Sequence, residues 1–456
     1  MNTMRQYLNF IKNPELLHLE SLNIRYMIAF GVGIAVGFKF IQPNVVGALY
    51  IFILGVSFIK CMQKDIIGFF TWFPYAMYTE IFIRKKVLWL PYLTIQYFII
   101  AAFAVLIISG ARGKRLHFKG MPIFILFVAL ELVNNVYPNK ITVSRALITH
   151  SFSVLIPVIW ASLTIITPAQ ILKFLSHLKI AGIYLTGVVI VAHMTGGIDY
   201  GHQSSSEASN GLAPVQLSGY LGFICVLFFF SVMNVEESAQ QWMNIVLLSM
   251  VTIVMALTFS RGGIYFIGAI VAAYFMYNHS KLGNYFRFLI LIPIGAIIYY
   301  SVVETTGGKI IERYELEGSS GRDKLVKVAF EIFSNNLITG VGTGNFNTEI
   351  VKKNLYGVES GAHNEFARVA AEHGIIGIFL YWGFFLFLFL DIIKRRQPQK
   401  QFAMYFLILF CLIVVHNGLK ISIQPILLML AVGTSSVVYK PKQSLNASNF
   451  AAKSLA

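Results

Sequence analysis

Long apolar segments recur along the whole chain, and each is close to the length of a membrane-spanning helix. A transmembrane helix needs about 20 mostly apolar residues. Helices are the spanning structure expected here, because the alternating pattern of β-barrel strands does not occur. The fourteen candidate spans are 24–42, 44–62, 65–83, 88–109, 121–137, 149–168, 179–196, 217–235, 242–259, 264–279, 286–303, 374–392, 402–417 and 420–438. Since several are short, the sequence predicts an all-α, polytopic transmembrane helical bundle of about 12–14 spans.

The composition indicates that lipid is the solvent for most of the surface. Hydrophobic residues make up 57% of the chain and charged residues only 12%, whereas a soluble domain carries about 25% charged residues. The net charge is +16, which in a soluble protein would suggest nucleic acid as a partner. Here many Lys and Arg residues lie in short loops between apolar runs, where they set orientation. We therefore expect the lipid bilayer, and no nucleic acid, as a partner.

Basic loops predict how the chain crosses the membrane. Three basic clusters, at 112–119, 394–400 and 440–442, fall on one side if every span is real. By the positive-inside tendency that side is the cytoplasm, which predicts a multi-pass protein of the cytoplasmic (inner) membrane. A fourth cluster, 84–86, falls on the opposite side. Either an earlier span is miscounted or these residues have a function there.

The longest polar stretch, 304–372, is predicted to fold as a small helical cap outside the cytoplasm. Within it, apolar residues recur at the spacing of one helix face, and they are Leu325, Val328, Ala329, Ile332 and Phe333. A second outward loop, 196–216, is rich in Ser and Gly and has no Lys or Arg. The predicted organisation is a transmembrane part at 1–303, the extracytoplasmic cap at 304–372, C-terminal transmembrane helices at 373–439, and a disordered cytoplasmic tail at 440–456.

Two arginine motifs lie on the predicted outer side. Arg261 follows an apolar run and precedes two glycines. A snorkelling anchor is one reading, but the positive-inside tendency opposes it on this side. Arg322 lies at the start of the amphipathic helix. It is either a surface residue of a capping segment or part of an anion site, since guanidinium forks and helix N-termini both bind phosphate.

Two further motifs complete the outer region. A glycine-rich segment at 339–346 has no strand before it, so a dinucleotide fingerprint is excluded, and a tight turn between closely spaced backbones is expected. His363, followed by Asn364 and Glu365, opens a short helix at the membrane boundary. Histidine exchanges a proton near neutral pH, although a lone histidine is more often a packing or surface residue.

In this order the four motifs resemble the O-antigen ligase and O-antigen polymerase superfamily, over roughly residues 240–390. The resemblance implies a GT-C-type membrane glycosyltransferase without a metal or other cofactor. It also implies partners: an undecaprenyl-diphosphate-linked glycan as donor, and a glycolipid (lipid A-core), another lipid-linked glycan or a protein as acceptor. The active site would lie at the outer face of the membrane.

The resemblance carries three residue roles to this chain. Arg261 and Arg322 would hold the diphosphate, and His363 would sit at the reacting centre, activating the acceptor hydroxyl or orienting the leaving diphosphate. Many members place a further arginine just before the loop that here spans 196–216, yet no arginine occurs between Arg145 and Arg261. Arg145 is the expected substitute, with Asn364 and His202 as supporting residues.

Ligase and polymerase share these motifs, so the sequence leaves them at nearly equal odds, with ligase slightly ahead. A flippase or transporter of lipid-linked sugars is the alternative of another class. Many transporter folds are built from repeated halves, and no internal repeat is visible here. A purely structural membrane scaffold is the third alternative, and it leaves the clustered Arg and His residues unexplained.

Overall fold

The described parts of the chain consist of helices and the turns that join them. The computed structural model describes residues 19–110, 116–134, 140–164, 166–200, 204–234, 238–280, 282–316, 322–352, 362–395, 399–418 and 421–434. No β-strand occurs within these ranges. Nine of their helices are long and apolar enough to cross a membrane, and further apolar helices of 10–17 residues accompany them. The predicted class, an all-α polytopic membrane bundle, is confirmed.

Each of the fourteen predicted spans coincides with a helix. In chain order the helices are α1 (Leu19–Gly37), α2 (Pro43–Met62), α3 (Ile66–Lys86), α4 (Thr94–Gly110), α5 (Met121–Val133), α6 (Lys140–Ala146), α7 (Ser153–Leu163), α8 (Pro168–Met194), α9 (Pro214–Asn234), α10 (Ser238–Leu257), α11 (Gly262–Asn278), α12 (Leu282–Thr305), α13 (Lys309–Leu316), α14 (Arg322–Asn335), α15 (Phe346–Lys352), α16 (Glu365–Ile393), α17 (Gln399–Asn417) and α18 (Ile423–Gly433). A π-helical turn, Leu147–Phe152, joins α6 to α7.

The cap, as the structure has it, consists of α13, α14, α15 and the first part of α16. The apolar face predicted for α14 is buried as expected, with Phe333 half-buried at its edge. This face belongs to a small core that is separate from the main core of the bundle and includes Leu325, Val328, Ala329, Ile332, Val341, Phe346, Ile350, Ala362, Ala367 and Ala371. The cap is therefore a folded unit. The domain limits at 303, 372 and 439 stay predictions, and 440–456 lies outside the described residues.

The cap is attached to the bundle through α16, which bends at Gly374. There the backbone is left-handed (φ 59°, ψ −154°), and a Cβ added at this glycine would lie 2.5 Å from the carbonyl oxygen of Ile338. Only glycine tolerates both the conformation and the close approach. Ala367 and Ala371, before Gly374, belong to the cap core, and the apolar residues after it continue the candidate membrane span.

The basic cluster at 84–86 contains a buried ion pair. Arg84 and Glu80 are one helical turn apart in α3 and pair with each other, with side chains 4% and 1% exposed. The hydroxyl of Tyr220 and the backbone N–H of Ser422 also donate to Glu80, and the Arg84 guanidinium lies 4.6 Å from the centre of the Tyr92 ring. Arg84 is therefore part of helix packing. Because it is not a free charge in a loop, it does not contradict the predicted orientation.

The ends of the helices predict the result of a topology experiment. Contacts between α14 and α17 and between the α10–α11 junction and α13 place the cap over one end of the bundle, called here the cap end. A cysteine at the exposed Lys324 should react with a membrane-impermeant maleimide in intact spheroplasts, whereas one at the exposed Lys394 should react only after lysis. Native Cys61 and Cys225 are buried and the half-buried Cys411 lies within the apolar helix α17, so background labelling should be low. Labelling of both positions in intact spheroplasts would overturn the orientation.

Candidate functional site

The connection between α10 and α11 holds Arg261 in a fixed place. Phe259 has left-handed backbone (φ 58°), a conformation that costs a non-glycine residue energy and tends to cluster at functional sites. The Ser218 hydroxyl of α9 donates to the Ser260 carbonyl at 3.0 Å and accepts from the Gly263 N–H at 2.9 Å. Hydrogen bonds on both sides of Arg261 therefore fix its backbone at the N-terminus of α11.

Arg261 reaches from the bundle to the cap. Its Nη2 donates to the backbone carbonyl of Arg313 in α13 at 2.5 Å, and Arg313 is itself buried, with 5% of its surface exposed. Sequence reasoning missed Arg313 because it lies in a polar helix without a motif. Its position becomes informative only when α13 is placed against the α10–α11 junction.

Arg322, the first residue of α14, contacts a histidine that the sequence reasoning also missed. Its Nη1 lies 2.6 Å from Nδ1 of His416, near the end of α17. A guanidinium can only donate, so the imidazole is the acceptor in this contact. The His416 ring also packs against α11, where a Cβ added at Gly262 would lie 2.7 Å from Nε2. A glycine at position 262 therefore makes room for His416.

His363 and Asn364 lie just before α16 but have different roles. The Asn364 side chain accepts from the Ala367 N–H at 3.2 Å and caps the helix, so its contact in this structure is structural. His363 has left-handed backbone (φ 51°), the second such residue among the predicted motifs. His363, Arg322 and Arg261 all act electrostatically on His416. The two histidines therefore belong to one electrostatic environment.

These contacts define what we call the cation cluster, which consists of the guanidinium groups of Arg261, Arg313 and Arg322 with the neighbouring imidazoles of His363 and His416. Burial and then the neighbouring guanidinium groups of Arg313 and Arg261 lower the pKa of Arg322 from its ordinary value. Like charges that crowd one another in a partly buried place disfavour their own charged forms. An anion bound among them would relieve this repulsion. The cluster is therefore a candidate site for an anion.

Arg145 is not among the residues that contact the cation cluster. Arg145 is exposed on α6, and among the described residues its contact is the hydrogen bond from the Thr149 hydroxyl to its carbonyl oxygen at 2.7 Å. Its role as a substitute arginine stays a prediction. His202 lies outside the described residues.

A second buried group of charges lies where the cap joins the bundle, and we call it the carboxylate network. Arg368 is surrounded by three carboxylates: Nη2 lies 3.0 Å from Glu131 of α5 and 2.6 Å from Glu365, and Nη1 pairs with Glu372. All four side chains are at most 7% exposed. Because α16 and α5 are far apart in sequence, this network ties the cap to the bundle. The i+3 and i+4 spacing around Arg368 was visible in the sequence, but the contribution of Glu131 was not.

The glycine-rich turn is fixed against the same junction. The Gly342 N–H donates to the Glu372 carbonyl at 2.9 Å, and the Thr343 hydroxyl donates to the Glu131 carbonyl at 2.6 Å. A Cβ added at Gly340 (φ 66°) would lie 2.3 Å from the carbonyl carbon of Glu372. The prediction of a tight turn between closely spaced backbones is confirmed.

Among the described residues no group of three or more His, Cys, Asp and Glu side chains is arranged to hold a metal ion. The anion-binding candidates are the cationic side chains of the cation cluster.

The fold and the contacts of the cation cluster together define a multi-pass helical membrane protein with a group of cationic side chains at one end of its bundle. Residues 244–382 match the family model described as O-antigen ligase. The match confirms the resemblance to the O-antigen ligase and polymerase superfamily, and it includes Arg261, Arg313, Arg322 and His363 but not His416. No curated protein matches the sequence.

Proposed function

We propose that the protein is a membrane glycosyltransferase that moves a glycan from an undecaprenyl-diphosphate carrier to an acceptor at the outer face of the cytoplasmic membrane. The observation that carries the proposal is the convergence of Arg261, Arg313 and Arg322 with two histidines where the cap meets the bundle. A donor with a lipid tail and an anionic head suits such a place, because the tail stays in the bilayer while the head meets the arginines.

The cluster supplies what this reaction requires. The acceptor hydroxyl oxygen forms a bond to the anomeric carbon, the bond from that carbon to the diphosphate oxygen breaks, and undecaprenyl diphosphate leaves. Arginine forks bind phosphate oxygens through two hydrogen bonds, so they stabilise the charge that develops on the leaving group. The proton of the acceptor hydroxyl passes to a neutral imidazole, for which His363 is the proposed base.

Ligase and polymerase differ in the acceptor, and both use the same donor chemistry. We keep ligase ahead of polymerase because the matching family model is described as O-antigen ligase. A flippase or transporter of lipid-linked sugars remains the alternative of another class, since it too would bind a prenyl-linked diphosphate with cationic side chains.

Analysis of lipid-linked intermediates in a deletion strain separates the three. Long glycan chains stranded on the prenyl carrier are the expected result for a ligase. Single repeat units would accumulate if the protein were a polymerase, and intermediates held on the inner leaflet would indicate a flippase. A normal profile of intermediates in the deletion strain would contradict all three.

The two predicted arginines should not tolerate lysine. Arg261→Lys and Arg322→Lys each keep the positive charge but lose the bidentate hydrogen bonding to phosphate. A lost hydrogen bond to a charged group costs about 1.5–3 kcal/mol, so kcat/KM for glycan transfer by the purified protein should fall about 10- to 150-fold. The matched control is Arg287→Lys, because the half-buried Arg287 donates to the Met233 carbonyl at the opposite end of the bundle. Full activity of both cluster variants would show that general positive charge is sufficient.

A further inference from the structure

Three lysines on the predicted outer side take no part in the contacts described so far. Lys85 and Lys86 end α3, and Lys39 lies in the turn after α1. Among the described residues, none of the three forms an ion pair with a carboxylate. Lysine is disfavoured on the outer side of a membrane protein, and burial in an ion pair, which accounts for Arg84, does not account for these three.

Contacts of α3 place the lysines at the cap end of the bundle. Glu80, two turns before the end of α3, accepts a hydrogen bond from the Tyr220 hydroxyl of α9. Ser218, two residues earlier in α9, holds the backbone on both sides of Arg261. Two residues correspond to about 200° around a helix of about 3.6 residues per turn, so these contacts leave α9 on nearly opposite faces. The first turns of α9 therefore stand between the lysines and the cation cluster.

The Ser- and Gly-rich loop holds two of the lysines together. The Asn210 side chain donates to a carbonyl of α8 at 2.7 Å and to that of Gly37 at 3.4 Å, and Gly37 is two residues before Lys39. A Cβ added at Gly211 (φ 74°) would lie 2.4 Å from Nζ of Lys86, so this ammonium lies directly against the loop backbone. The charges of Lys39 and Lys86 repel each other, and a bound anion would relieve that repulsion.

The side chains next to the lysines place them at the membrane surface. Phe40 is 80% exposed, Leu88 92% and Trp89 55%. Tryptophan is enriched where a membrane protein meets the lipid head groups, and lysine ammonium groups extend to the same level. A ligand that meets these lysines is therefore anchored in the bilayer and carries its anionic groups at the head.

We propose that Lys39, Lys85 and Lys86 bind the phosphate groups of a glycolipid acceptor. The inference rests on the proposed function, which requires a second substrate besides the donor diphosphate at the cation cluster. A lysine ammonium binds phosphate as a point charge and needs no fixed bidentate geometry. The site also narrows the acceptor to a phosphate-bearing lipid, so a protein acceptor is not expected.

The spacing of the two cationic groups suits an acceptor that reacts far from its phosphates. Gly211, against Lys86, and Ser218, which holds Arg261, are seven residues apart, or at most about 25 Å at about 3.6 Å per residue. An acceptor head of several sugars would span this distance. Its phosphates would then stay at the lysines while a hydroxyl of its outermost sugar enters the reacting centre, which is the positioning that transfer requires.

A binding measurement tests the site without requiring transfer. The probe is lipid A-core with both phosphates, added to the purified full-length protein in phosphatidylcholine nanodiscs. The test variant replaces all three lysines: Lys39→Gln, Lys85→Gln and Lys86→Gln. The matched control carries the same change at three exposed lysines of the opposite end of the bundle: Lys64, Lys119 and Lys394.

The Kd of the test variant for lipid A-core should be about 10- to 100-fold higher than that of the unmodified protein, and the control should not differ. Dephosphorylated lipid A-core should bind the unmodified protein and the test variant equally weakly. Equal affinity of the two for the phosphorylated probe would overturn the proposal. Displacement of the probe by phosphatidylglycerol at equal concentration would also overturn it, because ordinary anionic lipid would then occupy the site.

Transfer kinetics separate this site from the proposed reaction. The test variant should raise the KM for the acceptor about 10-fold or more and leave the KM for the donor unchanged. A raised donor KM with an unchanged acceptor KM would assign the lysines to the donor and refute the acceptor site. Phosphate-dependent binding that the test variant loses, in a protein without any transfer activity, would support the site and contradict the proposed glycosyltransferase activity.

Discussion

Replacing His363 with alanine is expected to lower the rate of glycan transfer by about 10²–10⁴-fold, the usual contribution of a general base, with little change in protein level. His363 belongs to the cation cluster and has left-handed backbone. Asn364, and not His363, makes the capping hydrogen bond of α16. Loss of the imidazole should therefore remove chemistry more than structure. The measurement is transfer per folded molecule in lipid, across pH.

His416 is the competing base, and variants at both positions decide between them. It accepts a hydrogen bond from Arg322, which suits a residue that positions the guanidinium. His416→Ala should therefore mainly raise the KM for the donor, whereas His363→Ala should mainly lower kcat. The exposed His279 provides the control His279→Ala. If His416→Ala lowered kcat and His363→Ala did not, the proposed roles of the two histidines would be reversed. Partial activity of a His363→Arg variant would indicate that His363 binds the diphosphate and does not transfer a proton.

Arg368→Met should destabilise the protein by about 3–5 kcal/mol, the usual cost of leaving buried charges without their partner. Methionine is apolar and of similar length, so the substitution leaves Glu131, Glu365 and Glu372 without the guanidinium that pairs with all three. The loss of stability is measured by thermal unfolding of the purified protein in detergent, and then by the protein level in membranes. The contrasting variant is Lys309→Met, which breaks the exposed Lys309–Glu312 pair and should cost about 0–1 kcal/mol.

The result for Arg368→Met also separates stability from catalysis. The carboxylate network lies at the cap junction and touches the glycine-rich turn, so the variant should be less abundant. The specific activity of the surviving folded molecules should fall much less than for His363→Ala. Normal stability of Arg368→Met would mean that the cap is held mainly by its apolar core.

The helices were predictable because a membrane span is a local property of about 20 consecutive residues. The amphipathic face of α14 was equally local, since one helix turn brings Leu325, Val328 and Ala329 together. Sequence motifs identified Arg261, Arg322 and His363, because each of them lies in a short run of characteristic residue types. His416 and Arg313 carry no such pattern, and their place depends on how α17 and α13 pack. Arg84 appeared anomalous only because Glu80, one turn earlier, was not considered as its partner.

The arrangement of the cation cluster limits how the protein can be divided. Arg322 of the cap contacts His416, 94 residues further along the chain, and Arg261 of the bundle donates to the carbonyl of Arg313 in the cap. The region matched by the family model ends at residue 382 and so stops short of His416. An excised cap would carry Arg313, Arg322 and His363 without their partners from the bundle. The cap is therefore not a portable module, and exchanging caps between relatives would require exchanging the end of α17 and the α10–α11 junction with them.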